Sequence, residues 1–225
     1  MFGASPSTIR RDLDQLQDQG LVARVHGGAT ITEIGDEAPP PVRATTHAEE
    51  KRRIGQRAAT LVEEGTVVLI SGGTSTGAML GHLGHLRRLT VVTNGINVAV
   101  TLAQSPSIEV IVLGGLLRSE EMSLLGHVTV QALQEFQIDK VFMGAFGLDA
   151  RHGLTGSNLG ETQTDRALIS SAPELVVLAD SSKLRQRGAV RLADITAISA
   201  LVTDDCAEEA ALDSIRSQGV RVIVC

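Results

Sequence analysis

One loop in this chain carries the residue types that hold an anion. Ser71-Gly72-Gly73-Thr74-Ser75-Thr76-Gly77 follows the apolar run Thr66–Ile70 and precedes a stretch of helical spacing. Glycines let a backbone approach a ligand closely, and hydroxyls with the amides of a helix start point at negative charge, so phosphate is the natural guest. No Lys-Ser or Lys-Thr pair follows Gly77, which separates the loop from nucleotide-binding P-loops. The same composition also serves a tight strand-to-helix turn with no ligand at all. Two further small-residue turns, Thr93-Asn94-Gly95 and Gly114-Gly115, follow the next two apolar runs. Each alone is what any turn favours; three after successive strands describe the lip of a cleft.

Other side chains fit the same chemistry. Lys183, in Asp180-Ser181-Ser182-Lys183 after a fourth apolar run, could neutralise a phosphate or a developing enolate. It reads equally as a solvated lysine behind a helix-capping Asp180. Glu161 could accept protons from sugar hydroxyls, or simply be the acidic first-turn residue a helix prefers. His82 and His85 are three apart with no third ligand evident, so they read as a solvated helix face and no metal is expected. Cys206 and Cys225 show no metal-ligand spacing and point to a reducing cytoplasm.

A second chemistry sits at the start of the chain. Ser7, Thr8, Arg10 and Arg11 open a helix that Ser5-Pro6 would cap, and the first residues of a recognition helix are those that touch base edges and phosphates. Arg24 and His26 lie on the short strand and turn that follow, where a wing would be. Asp12, Asp14 and Asp18 balance the arginines, so an ordinary charged helix fits as well.

These residues need elements to position them. With 225 residues, 43% of them hydrophobic and 20% charged, the chain can bury one full domain and a fragment more. The net charge of −6 is not that of a protein coated in nucleic acid, and the absence of Trp and Tyr removes the stacking platforms of single-strand binders. No apolar run reaches the roughly 20 residues of a membrane span. From Thr30 to Thr46, around Pro39-Pro40-Pro41, the periodicity vanishes and an extended linker is predicted. Residues 1–29 thus form one unit, 30–46 a linker and 47–225 a second domain. In that domain, helices over Glu49–Glu64, around Leu80, Leu83 and Leu86, and over Asn97–Ala103, Val128–Phe136, Thr162–Ser171 and Ala207–Gln218 alternate with short β-branched strands. That alternation predicts an α/β fold with a mostly parallel sheet flanked by helices. Ligands bind such sheets outside the strand carboxyl ends, which directs attention to the loops after Ile70, Val92, Leu113 and Ala179.

The motifs resemble the DeoR family of bacterial repressors along nearly the whole chain. Ser5-Pro6-Ser7-Thr8-Ile9-Arg10-Arg11-Asp12-Leu13 with Arg24-Val25-His26-Gly27-Gly28-Ala29 resembles the family's recognition helix and wing. Glu50-Lys51-Arg52-Arg53-Ile54, Gly73-Thr74-Ser75-Thr76, Thr93-Asn94, Gly114-Gly115, Gly126, Asp139-Lys140 and Asp180-Ser181-Ser182-Lys183 follow in family order. The resemblance implies a winged helix-turn-helix joined to a sensor domain similar to ribose-5-phosphate isomerase, without a cofactor. Operator DNA would be met by Ser7, Thr8, Arg10, Arg11, Arg24 and His26. A phosphorylated sugar or sugar alcohol would be held by Ser71 and Gly73 to Thr76, with Asn94, Gly95, Gly114, Gly115, Glu161 and Lys183 around it. A homodimer or homotetramer is expected on paired half-sites. The isomerases carry a catalytic aspartate in an Asp-Gly-Ala-Asp type segment, whereas Met143-Gly144-Ala145-Phe146-Gly147-Leu148 has no carboxylate before Asp149. Loss of that base favours a sensor over a sugar-phosphate isomerase. Family members also carry about two helices ahead of the recognition helix, so operator binding is expected to need them, and a sensor without DNA binding of its own stands as a further alternative.

Overall fold

The computed structural model describes residues 6–18, 22–25, 28–31, 38 and 40–225. Helix α1 (Pro6–Asp18) is followed by strands β1 (Val22–Val25) and β2 (Gly28–Ile31), paired antiparallel with Val22 opposite Ile31 and Val25 opposite Gly28. Helices α2 (Pro40–Thr45) and α3 (Ala48–Ala59) come next. The α/β region then runs β3 (Val67–Ile70), α4 (Thr74–Gly77), β4 (Leu89–Thr93), α5 (Ile96–Leu102), β5 (Ile108–Val112), β6 (Leu116–Arg118), β7 (Ser123–Leu125), α6 (His127–Leu133), β8 (Lys140–Gly144), β9 (Gly147–Asp149) and β10 (Gly153–Gly156). It ends with α7 (Thr162–Ile169), β11 (Glu174–Leu178), β12 (Val190–Ala193), β13 (Ala200–Thr203), α8 (Glu209–Arg216) and β14 (Arg221–Val224). Among the described residues no helix is long and apolar enough to cross a membrane.

The expected sheet is present and wholly parallel, in the order β14-β13-β11-β8-β3-β4-β5. Its strands send alternate side chains to two cores. Val68, Ile70 and Phe142 pack with Ile54, Met79 and Leu83 on one face. Leu69, Val141 and Met143 pack with Leu133, Leu154 and Leu168 on the other. Burial on both faces is why these strands read as continuous apolar runs. The chain enters at β3, moves outward through β4 and β5, then returns to β8 on the other side of β3. The strand order therefore reverses between β3 and β8, and the crevice outside their carboxyl ends is where this architecture opens a ligand site.

Two local expectations are corrected. Residues 40–45, predicted to be extended linker, form helix α2. A proline is tolerated in the first turn of a helix, where its missing N–H has no partner to lose. The leucines Leu80, Leu83 and Leu86, predicted to share a helix, are buried, but only Leu80–His82 of that stretch is helical, as one 3₁₀ turn. Gly77, Gly81 and Gly84 interrupt that stretch, each at about 1 kcal/mol against a helix. Two small antiparallel additions were not foreseen: the β6–β7 hairpin and a sheet of β12, β10 and β9.

Candidate functional site

The loop leaving β3 lines a cavity at the switch point. Ser71, Gly72, Gly73, Thr74 and Ser75 form one wall. Gly73 turns the chain at φ 146°, ψ 166°, a conformation reserved for glycine, and its carbonyl accepts from Gly77 N (3.1 Å) and Thr76 Oγ1 (3.2 Å). Thr76 is fully buried and braces the loop from inside. Asn94 is also in the wall, where its Oδ1 accepts from Gly72 N (3.2 Å) and its Nδ2 donates to Leu124 O (3.2 Å), tying the loop to the β6–β7 hairpin. Gly95 stands behind the loop: a Cβ there would lie 2.7 Å from Gly72 Cα.

Of the remaining expected residues, Glu161 and Lys183 reach the same cavity. Gly114 and Gly115 do not line it. Gly114 O accepts from Thr129 Oγ1 (2.6 Å), and a Cβ on Gly115 (φ 140°) would lie 2.1 Å from that hydroxyl, so this pair seats β6 against α6. The reason is topological. The strand before them, β5, is the sheet edge, whereas β8 borders β3 and contributes Met143, Gly144, Ala145 and Phe146 to the wall.

Two ion pairs fasten the β6–β7 hairpin across the cavity. Arg118 pairs with Glu161 at the start of α7, and Glu121 pairs with Arg43 of α2. Burial alone would lower the Arg118 pKa, but the Glu161 hydrogen bond and the Glu161, Glu121 and Glu120 charges outweigh it and raise it, so the guanidinium stays charged. Lys51, only 5% exposed, donates to Arg43 O (2.5 Å) and Thr46 O (2.8 Å) at the end of α2. A lysine at that position satisfies carbonyls the helix cannot and meets the negative end of its dipole.

Arg43, Lys51, Glu121, Phe146 and Asp165 all line the cavity and were not foreseen. Lys51 had a signal: it lies three residues before Ile54 and seven before Ala58, on the buried stripe of α3. Phe146 had one too, as an aromatic residue in a glycine-rich strand-end loop. Arg43 and Glu121 had none, being 78 residues apart.

Elsewhere, Asp204, Asp205 and Cys206 converge, but Asp204 accepts from Ser181 N (2.6 Å) and Cys206 N (2.9 Å), and Asp205 pairs with Arg53 (2.8 Å). Desolvation and the Asp204 and Asp205 charges raise the Cys206 pKa, keeping it a protonated thiol and a poor metal ligand. In the first segment, Ser7, Arg10 and Arg11 are exposed at the start of α1 and Thr8 is half-buried. Arg24 sits in β1 opposite Ala29, and His26 lies outside the described residues.

Comparison with known proteins covers both halves. The family model described as the DeoR C terminal sensor domain matches residues 46–205, and the DeoR-like helix-turn-helix domain matches residues 1–34. The chain is 34% identical over 203 residues to the glycerol-3-phosphate regulon repressor of Escherichia coli, covering 90% of this chain and 81% of that protein. It is 33% identical to the HTH-type transcriptional repressor GlcR of Bacillus subtilis, over 100% of this chain and 86% of that one. Among solved structures, ribose 5-phosphate isomerase A of Methanocaldococcus jannaschii aligns with 61% of this chain and 54% of its own at 19% identity and TM-score 0.46. With both family models matched and these relatives aligned over more than four fifths of their length, the chain belongs to the DeoR family.

Proposed function

We infer that this chain is a cytoplasmic transcriptional repressor of carbohydrate-metabolism genes, and that its cavity senses a phosphorylated sugar or sugar alcohol. The relatives are repressors by name, one of them of a glycerol-3-phosphate regulon. The observation that carries the reading is the position of Arg43. It belongs to the helix that follows the β1–β2 hairpin in the chain, yet it stands in the wall of the cavity that the Ser71–Gly77 loop enters. A phosphate on that loop would attract Arg43 and compete with Glu121 for it. Binding at the sensor would thereby act on the segment that leads to the DNA reader, which is the differential interaction an allosteric switch requires.

In this reading residues 1–31, through the end of β2, are the reader, 32–46 the connection and 47–225 the sensor. Ser7, Thr8, Arg10, Arg11, Arg24 and His26 contact operator DNA, and two or four copies pair on half-sites. Catalysis is not part of it. Phe146 occupies the segment after β8, Asp149 is engaged by the amides of Arg151 and His152 (both 2.7 Å), and of the cavity carboxylates Glu121, Glu161 and Asp165 the first two each hold an arginine. A general base needs to reach the substrate proton. Turnover of ribose 5-phosphate that vanishes in Lys183→Ala would replace this reading with an isomerase.

The decisive experiment is an operator shift with the protein. Salt-dependent, sequence-preferring binding that a sugar phosphate releases is the expected result. Absence of such binding refutes the repressor. Thr74→Ala should weaken sugar-phosphate binding about tenfold or more, the weight of one charge-assisted hydrogen bond, while leaving the melting temperature in place; unchanged affinity would remove the loop from the site.

A further inference from the structure

Phe146 is the sole aromatic residue among the described residues lining the cavity, in a chain with only four phenylalanines and neither Trp nor Tyr. It is half-buried, at the turn between β8 and β9. Its ring faces a cation: Lys183 Nζ lies 5.7 Å from the ring centroid, within the range in which an ammonium is attracted to an aromatic face. The same ammonium donates to Gln186 Oε1 (3.4 Å).

The corner that holds the two together is closely built. A Cβ on Gly147, the residue after Phe146, would lie 2.3 Å from Gln186 O, so the β8–β9 turn and the segment of Lys183 touch backbone to backbone. Thr155 Oγ1 donates to Gly147 O (3.0 Å) and accepts from Gly188 N (2.9 Å), fastening both strands of that contact. Asp180 caps the 3₁₀ turn Ser181–Arg185 that carries Lys183, accepting from Ser182 N (3.2 Å). The two segments that carry the ring and the ammonium are therefore held together by backbone contacts.

We propose that Phe146 is a specificity-determining residue, whose ring fixes Lys183 and gives the cavity an apolar wall for the C–H face of a monophosphorylated sugar or polyol. The proposal rests on the sugar-phosphate reading above. An aromatic face carries partial negative charge, which suits C–H groups and repels a second phosphate. With the Ser71–Gly77 loop as the place for one phosphate, the Phe146 end of the cavity takes carbon and hydroxyl groups, and Lys183 meets a hydroxyl there instead of a free dianion.

Calorimetric titration of the full chain and of Phe146→Ser, Phe146→Leu and Lys183→Met tests this, with inorganic phosphate, glycerol 3-phosphate, ribose 5-phosphate and fructose 1,6-bisphosphate as probes. The wild type should favour a monophosphate over the bisphosphate. Phe146→Ser should weaken the bound monophosphate about three- to thirtyfold, change inorganic phosphate less than about twofold, and narrow or reverse the discrimination against the bisphosphate. Phe146→Leu should fall between, since it keeps apolar volume and loses the ring. In NMR spectra the Lys183 ε-methylene protons should be shifted upfield by the ring, and the shift should disappear in Phe146→Leu. Wild-type binding that Phe146→Ser leaves unchanged, or lowers equally for phosphate and sugar phosphate, overturns the proposal alone. A wild type that binds none of the four probes overturns the sensor reading and the proposal with it.

Discussion

Gly95→Ala tests whether the Ser71–Gly77 loop is braced as described. Gly95 does not line the cavity, and its φ of −93° is open to any residue, so alanine brings no backbone strain of its own. The added methyl would lie 2.7 Å from Gly72 Cα, 3.0 Å from Gly72 N and 3.0 Å from Asn97 Oδ1. Two of those three atoms are backbone of the loop itself. Relief requires the Gly72 segment to move by roughly 1 Å, and overpacking of this size costs about 1–3 kcal/mol. At about 2–4 °C per kcal/mol for a chain of this length, the melting temperature should fall by about 2–12 °C. Because the displaced atoms belong to the loop, sugar-phosphate affinity should fall too, by about tenfold or more. The reciprocal change is the control. A Cβ on Gly72 meets Gly95 Cα at 3.4 Å and Ser123 Cβ at 3.6 Å, ordinary contacts, so Gly72→Ala should cost less than about 1 kcal/mol in stability. Scanning calorimetry and titration of both variants decide the matter. A Gly95→Ala protein that melts and binds like wild type would refute the close approach of these two turns.

Two other perturbations follow from named contacts. Lys51→Met removes both bonds to the end of α2, each of the charged kind that contributes about 1.5–3 kcal/mol. Amide exchange over residues 40–46 should accelerate at least tenfold while β3 and β8 stay protected, and equal acceleration throughout would show that Lys51 supports the whole fold instead. Asp149 is a pH-sensitive group. Burial alone would raise its pKa, but hydrogen bonds from the His152 amide and ring and from the Arg151 amide prevail and hold it below its ordinary value of 3.8. A depressed carboxylate contributes stability that is complete above 3.8 and is lost as pH falls through the lowered pKa. Asp149→Asn should therefore cost about 1 kcal/mol near neutral pH. The gap from wild type should close below pH 3.8, and a gap independent of pH would exclude the carboxylate as its source.

The residues that announced themselves in sequence are those whose neighbours along the chain carry the signal. The Ser71–Gly77 loop was legible because an apolar strand ends and a helical turn begins around it, and Asn94 because it ends the next strand. Gly114 and Gly115 carried the same local signal, yet they lie outside the cavity, since nothing in a turn says whether its strand is central or at an edge. Helix α2 was hidden by its prolines, which signal a breaker everywhere except in a first turn.

Sequence alone therefore determined the α/β class, the parallel sheet, the family and the strand-to-helix loop Ser71–Gly77, because periodicity, β-branched runs and glycine placement act over a few residues. Tertiary structure decided which loops meet. Only the return of the chain from β5 to β8, beside β3, brings Phe146 and Lys183 to the loop after β3. Only folding closes the pairs Arg43–Glu121, 78 residues apart, and Arg118–Glu161, 43 apart. Strand order is set by which apolar faces can be buried together once crossovers are made, a long-range competition that no local pattern records.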